Sequence, residues 1–304
     1  MGRGQAGGRE KVRKLFLALV IVLALQAVCF GAGLYHPDKS GDEVLHSLIS
    51  EKAAKFTVKT FSDDVTGLAI SYNLYLPETE GKHPVVFFMA DGSSAGKPPA
   101  FSLTQGYGAL VWPDDCIVIV PTFPEVILDD HNGFVLTEYV ELAGRFVRWA
   151  VKEYSVDESR VYATGQSMGC MTWLVLSAKY PELFTACLFV SGQWDIRQLG
   201  GLRGQKFIYV ASAGDDKASA GQQEVIDMFR NDGVPFALDQ DIDARNQDYV
   251  LPKTQAECYF LTFRAGTTLP EETEQKYSEH MTSFDYAYRM QALREWLLAQ
   301  TKGE

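Results

Sequence analysis

Histidine is scarce in this sequence, at five in 304 residues. Any chemistry that needs an imidazole base must use His36, His46, His83, His131 or His280. Cysteine is as thin and irregularly placed. Cys116, Cys170, Cys187 and Cys258 lack the short paired spacings that hold a metal, so the residues call for none. Four thiols allow three pairings that an exported protein can form, whereas burial as small apolar residues fits Cys170 and Cys187, which lie within apolar runs. Positive charge is in deficit, with 28 lysines and arginines against 39 aspartates and glutamates. The net −11 repels phosphate backbones, and no basic stripe offsets it, so nucleic acid is not an expected partner. No repeat with a period of roughly 20 to 50 residues recurs, which argues against a solenoid.

What is present begins with a charged, then apolar, N-terminus. Arg3, Arg9, Lys11, Arg13 and Lys14 precede "LFLALVIVLALQAVCFGAG", the order of a secretory signal, with cleavage expected near Gly31 to Gly33. An uncleaved anchor is the rival, because about 17 mostly apolar residues approach the minimum span of a bilayer. Gln26, Ala27 and Val28 make a poor lipidation site ahead of Cys29. Residues 1–33 are therefore expected to be a signal or membrane anchor, 34–54 a linker and 55–304 the working domain, secreted or held at the cell surface. Removal of residues 1–31, with five positive charges and Glu10, takes the formal charge from −11 to −15.

From Lys55 onward the pattern alternates between strand and helix. "AKFTVKTF" and "LAISYNLYL" have period two and predict a half-exposed hairpin pair. "HPVVFFMA", "CIVIVPTFP", "RVYATG", "TACLFVSG", "KFIYVASAG" and "CYFLTFRAG" are continuous apolar runs, as in strands buried on both faces of a parallel sheet. Helical spacing predicts helices over 136–154, 168–180, 219–231 and 283–300. The expected fold is α/β, a mostly parallel central sheet with helices on both faces. Ser191 to Lys206 is too short for a large cap domain.

Within "VYATGQSMGCMTW", Gly165 and Gly169 flank Ser167 between a strand and a helix. A Gly-x-Ser-x-Gly turn in that context holds its serine on a sharp bend, with the hydroxyl above the carboxyl edge of the sheet. The Met168 N–H then opens the helix and can donate to a developing oxyanion. Serine needs a base. His36 and His46 precede the fold, His83 begins a strand, and His131 lies before the serine in an acidic turn, "LDDHNGF". His280 follows the last strand, as a base in this architecture must. An acid should lie between serine and histidine. Asp215 at the end of "YVASAGDDKAS" is preferred, with Asp216 its neighbour and Asp195 in "SGQWD" a third candidate. The order Ser167, Asp215, His280 is that of α/β-hydrolases. In "VVFFMADGSSAG", Gly92 is the preferred second oxyanion donor and Ser93 the next. Gln193 and Trp194 are candidates for substrate binding at the sheet edge, with core packing the competing account. Trp112 and Trp173 read as core.

Together "GQSMGCMT", "VSGQWD", "ASAGDDKAS", "EHMTSFDYAYRMQALREWLLAQ", "DGSSAGKPPAFSLTQGYGALVW" and "PEVILDDHNGFVLTEYVE" resemble a branch of bacterial secreted α/β-hydrolases related to feruloyl esterases and polyhydroxybutyrate depolymerases. The resemblance spans roughly residues 55 to 300. It implies the fold, a Ser167–Asp215–His280 triad, no cofactor, and a small or a polysaccharide- or polyester-linked ester as substrate. Ala90 and Asp91 stand where many relatives have His-Gly, which bears on the oxyanion geometry. A serine peptidase of the same fold and a non-catalytic binding module are the alternative readings.

Overall fold

The apolar runs become the middle of one nine-stranded sheet. The computed structural model describes residues 38–270 and 277–303. The signal or anchor expected over 1–33 lies outside them. No helix among the described residues is long and apolar enough to cross a membrane.

In chain order the elements are α1 (Glu43–Lys52), β1 (Thr57–Ser62), β2 (Ala69–Tyr75), β3 (His83–Met89) and β4 (Ile117–Thr122). A two-residue ribbon, β5 (Leu128–Asp129) with β6 (Val135–Leu136), leads to α2 (Glu138–Glu153) and β7 (Val156–Gln166). Then come α3 (Met168–Lys179), β8 (Ala186–Val190), β9 (Phe207–Ser212) and α4 (Asp216–Asn231). The chain ends with β10 (Ala237–Ile242), β11 (Cys258–Phe263), α5 (Glu279–Arg289) and α6 (Gln291–Leu298). Strand order is β1-β2-β4-β3-β7-β8-β9-β11-β10. The predicted hairpin β1–β2 is antiparallel, and β2 also runs antiparallel to β4; the remaining pairs are parallel.

Burial on two faces follows from the period of a strand. Val85, Phe87 and Met89 of β3 join one core with residues of α2, α3 and α4, whereas Val86, Phe88 and Ala90 join the opposite core with α1, α5 and α6. Helices therefore cover both faces, as the sequence predicts. In α3 every residue from Met168 to Ala178 is buried, the pattern of a helix enclosed on all sides. Trp112 and Trp173 are core residues.

Two expectations change in detail. Part of the 34–54 linker is helical: α1 packs Leu45 into the second core, and Lys52 Nζ donates to the Trp112 carbonyl at 2.6 Å. The single helix expected over 283–300 starts earlier, at Glu279, and breaks at Met290, whose ψ of 107° is extended. The four described cysteines form no disulfide; all are buried free thiols. Burial pushes the thiols of Cys116, Cys187 and Cys258 up to about 12 and that of Cys170 higher still.

Candidate active site

The bend at Ser167 is built by close contact. A Cβ on Gly169 would lie 2.0 Å from the Met89 carbonyl oxygen, and one on Gly165 would lie 2.5 Å from the carbonyl carbon of Gly169. Helix α3 can press against β3 and β7 only because both positions are bare. Between them Ser167 has φ 50° and ψ −115°, a conformation that L-residues rarely adopt. Ser167 remains partly exposed while its neighbours are buried. Gly192 packs against the buried Cys170 side chain and the Ser167 carbonyl, with a Cβ there 2.8 Å from Cys170 Sγ and 2.9 Å from the Ser167 oxygen.

Ser278 caps α5, and His280 occupies its second position. His280 Nε2 lies 2.8 Å from Ser167 Oγ, and Nδ1 lies 2.6 Å from Asp215 Oδ2. A carboxylate only accepts, so Nδ1 carries the proton and the Nε2 lone pair faces the serine hydroxyl. Asp215 is 7% exposed, and its other oxygen accepts the Ala218 N–H at the start of α4. One carboxylate thus orients the imidazole and caps a helix. Asp216 is exposed in the first turn of α4. Asp195 caps its own short turn and pairs with Arg197, so it stays away from His280.

Both expected oxyanion donors stand at the first position of a helical turn, where an N–H has no acceptor inside its own turn. Met168 opens α3 and Gly92 opens the turn Gly92–Ser94. They adjoin, since a Cβ on Gly92 would lie 4.0 Å from Met168 Cβ. The Ser93 N–H is instead bonded to Asp91 Oδ1 at 2.9 Å, which removes the second candidate. Asp91 Oδ2 accepts Gln166 Nε2 at 2.9 Å.

Around this centre, Gln193 Nε2 donates to Asp130 Oδ2, which also takes Lys217 Nζ at 3.1 Å. Trp194 is only 2% exposed, with its ring edge-on to Phe134 and its Nε1 3.2 Å from Gln198. That corrects the stacking option for Trp194: no face of the indole is open to a substrate, and core packing is its role. His131 pairs with Asp129 and Asp130 in a tight surface turn, as the loop reading expects.

Glu279 is not among the residues that the sequence singles out. Its carboxylate accepts Ser212 Oγ at 2.6 Å, the Gly266 N–H at 2.8 Å and Thr268 Oγ1 at 3.3 Å. Nor is Ser283 singled out; its hydroxyl donates to the His280 carbonyl at 2.9 Å and meets Ser191 Oγ at 2.7 Å. A glutamate beside a histidine carries no sequence signal of its own; only the fold brings its partners together.

No protein-family model matches the chain. Acetylxylan esterase A of Aspergillus ficuum is 30% identical over 145 residues, 44% of this chain and 46% of that protein. Probable acetylxylan esterase A of Aspergillus terreus is 27% identical over 190 residues, 58% of this chain and 57% of that protein. The chain thus spans about half the length of these relatives. Among solved structures, a thermostable esterase superposes with a TM-score of 0.66 over 82% of this chain and 64% of its own, at 21% identity. Sheet order, the bend at Ser167 and this superposition together give the chain the α/β-hydrolase fold.

Proposed function

We propose that this chain is a serine hydrolase of carboxylic esters, with Ser167 as nucleophile, His280 as base and Asp215 as the acid that orients it. The observation that carries the reading is the unbroken hydrogen-bond chain from Asp215 through His280 to a partly exposed serine on a strained bend. Ser167 Oγ attacks the acyl carbon as His280 Nε2 takes its proton, and the carbonyl π pair moves onto oxygen. The N–H groups of Met168 and Gly92 receive that oxyanion. Collapse of the intermediate expels the alcohol, which leaves with the proton from His280. Water, deprotonated by the same imidazole, then releases the acid and restores Ser167.

The similarity to proteins named acetylxylan esterase favours acetyl groups on a polysaccharide as the ester class. The two short turns over 196–204 leave no room for a large cap, which favours a substrate that extends beyond the site. Export, by the charged and apolar N-terminus, would bring the enzyme to such a polymer.

Hydrolysis of p-nitrophenyl acetate and release of acetate from acetylated xylan test this. Ser167→Ala should fold normally, lose labelling by a fluorophosphonate and lose turnover by something on the order of a million-fold. A folded Ser167→Ala protein that keeps most of its activity overturns the assignment.

A further inference from the structure

In the turn that follows β3, Asp91 is bonded to Gln166 at the end of β7, across the edge of the sheet where Ser167 stands. We propose that Asp91 and Gln166 are a pair of positioning residues that set the Gly92 N–H against the Met168 N–H, so that both address one oxyanion. The inference rests on the ester-hydrolase reading and assigns a device within that site.

The Gly92 N–H shares a rigid peptide plane with the Asp91 carbonyl and points the opposite way. That carbonyl is held by two donors, the Ser94 N–H at 3.1 Å and Ser94 Oγ at 2.7 Å. The Asp91 side chain holds the same turn through Ser93 N–H. Direction is thus fixed locally, but position relative to Ser167 is not, because the two N–H groups sit on separate elements. Gln166 supplies that link. It is the last residue of β7, directly before Ser167, as Asp91 is directly before Gly92. β3 and β7 run side by side, with Met89 opposite Gly165, so the bond joins the chains just as they leave the sheet. Asp91 and Gln166 are 3% and 6% exposed, so the bond is shielded from water and an unpaired carboxylate there would be costly.

Asp91→Ala, Gln166→Ala, the double variant and Asp91→Asn test the pair. Asparagine can accept from Ser93 and, with the Gln166 amide turned over, donate to it. The readout is kcat/KM for p-nitrophenyl acetate divided by that for its thionoacetate analogue, whose sulfur accepts hydrogen bonds poorly. This ratio does not depend on the fraction of active enzyme, so a merely structural loss leaves it unmoved. Each alanine variant should lower kcat about 10- to 100-fold, short of the roughly 100- to 1,000-fold loss of a whole donor, with little change in KM. The oxo-to-thiono ratio should fall in parallel. The double variant should be no worse than the worse single one, and Asp91→Asn should stay within about threefold of the unaltered enzyme. If Asp91→Ala does not fold, Gln166→Ala gives the same readout. An unchanged ratio in a folded alanine variant, or losses that multiply in the double, overturns the pairing while Ser167-dependent hydrolysis stands. Activity that survives Ser167→Ala removes the ester-hydrolase reading itself.

Discussion

Ser212 Oγ donates to the Glu279 carboxylate at 2.6 Å, so the residue just before His280 is fastened to the strand that leads to Asp215. Gly214 is bare where the carboxylate passes, since a Cβ there would lie 2.0 Å from Glu279 Oε1. Glu279→Ala frees the first turn of α5 to shift, and displacement of about 1 Å at a reacting group can cost about 100-fold. We expect kcat for p-nitrophenyl acetate to fall roughly 10- to 100-fold. Glu279→Gln, which still accepts from Gly266 and can donate to Ser212 Oγ, should recover to within about tenfold of the unaltered enzyme. Unaltered kcat in Glu279→Ala would show that the bond carries no positional role.

Asp215→Asn places an amide against His280 Nδ1 and favours the tautomer with its proton on Nε2, facing Ser167. Turnover should drop by about 10,000-fold with the fold intact, as judged by circular dichroism. Asp216→Asn, at an exposed position, should leave the rate within about twofold. Equal losses in the two variants would reassign the acid.

Gly169→Ala puts a methyl group 2.0 Å from the backbone oxygen of Met89, which cannot rotate away. Forcing α3 off β3 should cost about 1–3 kcal/mol or more, several degrees in Tm by calorimetry. Gly204→Ala, with nothing within 4 Å, is the matched control and should leave Tm nearly unchanged.

Asp63, just past β1, accepts from Arg145 Nε at 2.9 Å and from its terminal nitrogen at 2.8 Å, tying the edge hairpin to α2. The Arg145 hydrogen bonds, against the opposing effect of burial, lower the Asp63 carboxyl to about 2. A depressed folded-state value stabilises above the unfolded value near 3.8 and is lost as pH falls through about 2. Because Arg145 is partly exposed, the contribution should be only ~1–2 kcal/mol. The Tm gap between the unaltered protein and Asp63→Asn should therefore be full at pH 6 and narrow between about pH 4 and pH 2. A gap independent of pH would mean that shape, not charge, holds the contact.

The interior strands were legible because burial on both faces demands apolar residues without interruption, as in "HPVVFFMA". β10 was not, since "ALDQDI" is an edge strand whose charged, exposed residues give no such run. The break at Met290 was also silent: neither proline nor glycine marks it, and the residue itself is fully buried. At the site, the Ser167 turn announces itself because one local shape requires both glycines. Asp215 was preferred over Asp216 from its place nearer the strand end, but the bonds of Glu279 and Gln166 needed coordinates, because their partners lie 11 to 75 positions away along the chain.

The positive φ at Ser167 sets catalysis against folding. Glycine is at ease in that conformation and serine is not, so Ser167→Gly should melt at a higher temperature than the unaltered protein while hydrolysing nothing. A more durable form of this molecule would thus be an inert one, and the proposed nucleophile sits where the backbone alone would favour glycine.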